Sequence, residues 1–199
     1  MAQISTYSSI QNPTLDDKLI GTDVENENLT KNFSISSILS LKSISLTSVL
    51  SSVSITNQEP SGLDSPLQVN FGDAQGSASD PIMLDNLGNI TFNQVGIYLF
   101  NGYANFERKG SSGGVSVTLF RALLNGVQQG PTKGVDLSNT GIMFPYELTL
   151  PMQVDAGDVL TWEIMRDSSG VDAGGLYTHT NSGPWSNVPS SDIRIYKIG

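Results

Sequence analysis

The chain of 199 residues contains no cysteine and one histidine, His179. Without cysteine there is no disulfide, no thiolate nucleophile and no cysteine-bound metal, so stability must come from packing or from association with other chains. Charge is also sparse: 15% of the residues are Asp, Glu, Lys or Arg, and 10 basic against 19 acidic residues leave a formal net charge of −9. The basic residues Lys18, Lys31, Lys42, Arg108, Lys109, Arg121, Lys133, Arg166, Arg194 and Lys197 form no stripe. Such a surface repels a phosphate backbone, which excludes nucleic acid as the main partner. No stretch approaches the roughly 18 apolar residues of a membrane helix, so no membrane insertion is expected. Residues 1–5 have neither a basic nor an apolar leader region, which reads as a protein made in a cytoplasm. The sequons at Asn28, Asn32 and Asn89 are then chance matches.

Catalytic signatures are missing too. No Gly-x-Ser-x-Gly elbow accompanies His179, and a lone loop histidine is usually solvated. Asp155 with Asp158, or Asp167 with Asp172, are candidate acid pairs by proximity alone, and they read better as turn residues than as a glycosidase pair. Gly110-Ser111-Ser112-Gly113-Gly114 lacks the Lys and the helix of a phosphate loop and reads as a hairpin tip. Asp64, Asp73, Asp80, Asp85 and Glu25-Asn26-Glu27-Asn28 offer oxygen ligands of the kind calcium takes, without EF-hand spacing. The expectation is no catalytic residue, no metal and no cofactor.

What fills the polar positions is Ser, Thr, Asn and Gly, which suits β-proteins whose turns want Gly and Asn. Residues 1–35 are polar, with two extended pieces expected around 18–20 and 31–35, too poor in apolar surface to fold without a host. The tract 34–56 sets a helical stripe (Ile35, Ile38, Leu39, Leu46, Val49, Leu50, Val53) against strand-like alternation in Val53-Ser54-Ile55-Thr56. A short helix at 36–41 and a stalk reaching to the Asn57-Gln58-Glu59-Pro60-Ser61-Gly62 linker are expected there. Residues 63–199 change character to regularly spaced strands with Gly-rich turns, an all-β pattern.

Within that region Tyr146, Leu148, Leu150, Met152 and Val154 alternate with polar residues, which places one face of a strand in a core. Pro151 lies on the wet face and argues for an edge or bulge position. Leu160, Trp162 and Ile164 form the next buried face, and 193–198 the last strand. Residues 96–106 are apolar on both faces: Ile97, Leu99 and Tyr103 on one side, Tyr98, Phe100, Ala104 and Phe106 on the other. The end of 115–124, with Phe120, behaves likewise. A sandwich buries only one face of each sheet, so the second face needs a cover, most simply another subunit. Tyr98, Phe100, Tyr103, Phe106 and Phe120 are the expected trimer interface.

Ile90-Thr91-Phe92 running into Gly96-Ile97-Tyr98-Leu99-Phe100 resembles the early strands of the trimeric jelly-roll superfamily of tumour necrosis factor and the complement globular heads. The stretch 115–124 closing on Asn125-Gly126 resembles its strand and hairpin. So does 148–154 followed by Ala156-Gly157-Asp158-Val159-Leu160. The resemblance covers about 130 residues and implies an antiparallel jelly-roll β-sandwich that self-associates as a homotrimer. Thr14-Leu15-Asp16-Asp17-Lys18-Leu19-Ile20-Gly21-Thr22-Asp23, continuing to Thr30-Lys31-Asn32-Phe33-Ser34-Ile35, is similar to a leader on bacteriophage virion proteins. Together they imply a non-enzymatic virion protein: an anchor docking on a capsid or tail protein (1–35), a stalk (36–62) and a head (63–199). A fibre or decoration role leads, with a capsid cement protein and a secreted bacterial lectin as alternatives.

The connection 167–189 is long for a jelly roll, and loops of that length are often functional. Its Asp172, Tyr177, His179, Asn181 and Trp185 sit in a Gly-Ser setting that suits sugar stacking, so a host-surface glycan is the ligand expected there. The competing reading is a packed loop in which Tyr177 and Trp185 anchor it to the sandwich.

Overall fold

A computed structural model describes residues 18–23, 29–35, 47–110 and 113–198. The chain divides into two units, Met1–Ser45 and Leu46–Gly199. In the first, β1 (Lys18–Asp23) and β2 (Leu29–Ser34) pair antiparallel, with Lys18 opposite Ser34 and Asp23 opposite Leu29. These are the two extended pieces the sequence predicts. The helix expected at 36–41 lies outside the described residues.

The second unit is two antiparallel sheets face to face. Its strands are β3 (Thr47–Ser54), β4 (Leu67–Gln68), β5 (Ile82–Leu84), β6 (Ile90–Phe92), β7 (Gly96–Arg108), β8 (Ser116–Leu124), β9 (Val127–Leu137), β10 (Phe144–Val154), β11 (Val159–Arg166), β12 (Gly174–Leu176) and β13 (Ser191–Lys197). One sheet runs β10-β7-β13-β3, with β12 also on β7; the other runs β5-β6-β11-β8-β9, with β4 also on β11. The chain crosses between sheets from β3 to β4, β6 to β7, β7 to β8, β9 to β10, β10 to β11 and β11 to β12. That wrapping makes a jelly-roll sandwich.

Period-two patterning puts the core between the sheets. Tyr98, Phe100, Ala104 and Phe106 from β7, Phe120 from β8, Leu160, Trp162 and Ile164 from β11, and Ile193 and Ile195 from β13 are all buried there. Trp162 is the hub: the Phe100 ring stacks on it at 4.9 Å, Phe120 lies parallel at 6.0 Å, and Phe71 meets it edge-on at 5.9 Å. Gly102 makes the stack fit, since a Cβ there would stand 2.5 Å from Phe100 Cε1. The β8–β9 hairpin turns on Asn125 and Gly126, both at positive φ (51° and 76°), as an Asn-Gly turn requires. Pro151 falls on β10, an edge strand, where a missing N–H costs the ladder nothing.

Two expectations need correcting. Residues 47–54 are not a stalk: β3 pairs along β13 from Thr47 opposite Lys197 to Ser54 opposite Ser191, and Leu50 enters the core. The head begins at Leu46 rather than at 63. The serine-rich strand escapes a helix because alternate residues can sit inside while serine hydroxyls find partners there. The connection at 109–115 is not a hairpin tip, because β7 and β8 belong to different sheets.

The expected linker is likewise part of the head. Gln58 is buried, its Nε2 donating to Asn70 O (2.9 Å), Ser190 Oγ (3.2 Å) and Ser191 Oγ (3.2 Å), while its Oε1 accepts from Asn70 N (2.7 Å). Its backbone bridges Leu176 in both directions at 2.8 and 2.9 Å. Beside it, buried Arg166 donates to Pro60 O and Asp172 Oδ1 and lies 3.6 Å from Glu59 Oε2. One amide and one guanidinium therefore fasten 58–60 to the sandwich.

Candidate functional site

The loop 167–189 does not form one surface. Asp172 is paired to Arg166 at 2.7 Å. Tyr177 is 1% exposed, and its hydroxyl is pushed up to about 12, first by burial and then by the nearby Glu59 carboxylate. It cannot offer a ring to a ligand, which corrects the expectation for Tyr177 and assigns it the anchoring role. His179 and Val188 bridge backbone to backbone at 3.1 and 2.9 Å, closing off an excursion. Within that excursion Asn181 Oδ1 accepts from Gly183 N at 3.0 Å, and Trp185 is 78% exposed. His179, Asn181 and Trp185 therefore share an excursion from which Asp172 and Tyr177 are separated by burial and pairing.

Several of the acids weighed as catalytic or calcium ligands are engaged locally, while Glu25-Asn26-Glu27-Asn28 lies outside the described residues. Asp158 accepts from Asn125 Nδ2 (2.7 Å) and from Asp155 N (2.8 Å); the side-chain bond and then the backbone bond hold its carboxyl below the usual range. Asp167 caps Ser169 N at 2.8 Å. Asp80 accepts from Ser77 N at 2.8 Å, and Asp64 from Ser168 N at 3.1 Å. Around Asp85 burial raises the carboxyl, but bonds from Asn89, Leu87 and Gly88 outweigh it and leave it lowered. No grouping of three metal-ligating side chains occurs among the described residues.

The interface residues separate by face. Tyr98, Phe100, Phe106 and Phe120 are 0 to 3% exposed and point between the two sheets of their own chain. They are core, so the expected trimer interface is corrected for these four. Alternation had shown two apolar faces on 96–106 without saying which one meets the second sheet. The larger rings do. Tyr103 alone of the five faces outward.

Around Tyr103 the outward face of the β10-β7-β13-β3 sheet reads in rows. Glu147, Tyr103, Asp192 and Val53 lie side by side, then Thr149, Asn101, Arg194 and Ser51, then Pro151, Leu99 and Tyr196. Ile97 on β7 and Ile55 just past β3 extend the apolar part, at 44% and 71% exposure. At the centre Asn101, Tyr103, Glu147, Asp192, Arg194 and Tyr196 line a concavity of about 230 Å³. Burial raises the Tyr103 hydroxyl, helped by the Asp192 and Glu147 carboxylates. Burial also raises Asp192, against the pull of Arg194 and with the push of Glu147. Sequence reasoning did not single out Asn101, Glu147, Asp192, Arg194 or Tyr196. The alternation of 193–198 and the wet face of 146–154 were the available signals, read only for their buried halves.

No family model matches the chain, and no curated protein matches it. Among solved structures the chain is similar to the Eiger tumour necrosis factor of S. frugiperda, at 11% identity and a TM-score of 0.48 over 75% of this chain and 90% of that one. It is also similar to the globular domain of zebrafish complement 1qA, at 13% identity and a TM-score of 0.40 over 75% and 95%. The jelly roll itself is defined by the strand order above, independently of either likeness.

Proposed function

We propose that the chain is a non-enzymatic structural protein of a bacteriophage particle, whose head self-associates as a homotrimer through the outward face of the β10-β7-β13-β3 sheet. The observation carrying this reading is that face: Ile97, Leu99, Tyr103, Tyr196, Val53 and Ile55 spread over the three adjacent strands β7, β13 and β3 and the residue just past β3, outside a complete core. A monomer gains nothing by leaving such a patch in water, at roughly 25 cal/mol per Å² of apolar area. Residues 1–35 would dock onto a capsid or tail protein. In support, β1 and β2 belong to a unit of their own, and 14–35 resembles a virion leader.

Light scattering of the full chain during size-exclusion chromatography tests the assembly, and a trimer at micromolar concentration is the expected mass. Leu99→Asp places a charge in the middle of the covered face. It is expected to weaken association by about thirtyfold or more, the scale of a central contact worth about 2 kcal/mol. Wild type and variant both running as folded monomers would defeat the reading.

Contact with a host-surface glycan is kept for the excursion that carries Trp185. Trp185→Ala is expected to leave the melting temperature within about one degree, since an exposed side chain holds nothing together. Glycan-array binding should fall with it; unchanged binding removes Trp185 from the proposal.

A further inference from the structure

We infer that assembly through this face takes up protons at the Asp192–Glu147 pair, so that the assembly tightens on acidification. The inference rests on the self-association proposed above and deepens it. The face is not uniformly apolar. At its centre the concavity holds two carboxylates, Glu147 and Asp192, on either side of Tyr103, with one guanidinium, Arg194, in the next row. β3, on the far side of Asp192, offers Val53 opposite it and no charged residue anywhere along its length. Lys197, at the end of β13, is occupied elsewhere, donating to Gln94 Oε1 and lying over the Tyr98 ring. Each chain therefore brings one uncompensated negative charge to the middle of the surface a neighbour would cover.

Covering the concavity removes water from both carboxylates and brings the same excess from each neighbour, and both effects disfavour the ionised form. In the uncovered chain Asp192 already lies above the ordinary value of 3.8, because burial and Glu147 outweigh Arg194. A covering partner pushes in the same direction. The associated state then binds more protons than the free one, and association is strongest at low pH. It is lost progressively as pH rises from the ordinary carboxylate range towards neutrality. The ceiling is a factor of about ten per chain for each pH unit inside that window.

Sedimentation equilibrium of the full chain at about pH 5 and about pH 7.5 reads the effect, with an association constant at least about tenfold larger at the lower pH. Asp192→Asn is expected to be tight at both values, with most of the pH dependence gone. Glu147→Gln, whose side chain is exposed and does not threaten folding, is expected to move the same way. The inference is overturned if both variants keep the wild-type pH slope, or if acidification loosens the assembly. A trimer indifferent to pH sinks the proton coupling alone. A folded monomer at every pH sinks the self-association beneath it as well.

Discussion

A chain starting at Gln68 should fail to fold, while one starting at Leu46 should give a cooperative melt. Residues 46–67 look dispensable by composition, yet they hold β3, Gln58, Glu59 and Pro60. Without β3 the ladder along β13 opens from Lys197 to Ser191, beside Ile193 and Ile195, which are fully buried. Without Ser54 and Gln58, the Ser190 hydroxyl, the Asn70 N–H and both backbone groups of Leu176 lose these partners. A buried polar group left unpaired costs about 1–3 kcal/mol, and several at once match the about 5–15 kcal/mol that holds a whole domain together. Circular dichroism with thermal melting of the two fragments decides it. If the 68–199 fragment melts within a few degrees of 46–199, the β3–β13 ladder and the Gln58 bonds contribute little.

The second large effect is at Trp162. Trp162→Ala should cost about 3–5 kcal/mol, the range for emptying a buried aromatic site, because Phe100, Phe120 and Phe71 all pack on that ring and cannot close the gap together. Trp162→Phe should cost far less. The indole Nε1 is buried without a hydrogen-bond partner, so replacing it by a phenyl ring removes an unmet donor along with some contact area. Urea denaturation of the two variants separates the terms. Equal losses would mean that a phenyl ring does not recover the contacts with Phe71, Phe100 and Phe120.

Local pattern carried most of the fold. The alternation of Leu160, Trp162 and Ile164, the Asn125-Gly126 turn and the edge position of Pro151 were all legible, because each depends on neighbours within a few residues. Two things were not. The assignment of 47–62 failed because a serine-rich strand and a polar linker become interior only through partners far along the chain, Ser190 and Ser191 for Gln58 and β13 for β3. The interface failed by one face: periodicity separates Tyr98, Phe100 and Phe106 from Ile97, Leu99 and Tyr103 but cannot tell which set meets the other sheet. The acidic pair comes from two strands, β10 and β13, on either side of Tyr103 on β7, and only their register brings it together.

Pro145 and Pro151 bear on how the protein behaves in a crowd. Both sit on β10, the strand that ends its sheet, and neither has an N–H to offer a further strand. That border therefore resists growth by backbone pairing, the route to cross-β fibrils. Under the proposed self-association, contact is left to the flat sheet faces, which can close on themselves. Two imino acids blunt the edge that another chain's strand would otherwise extend.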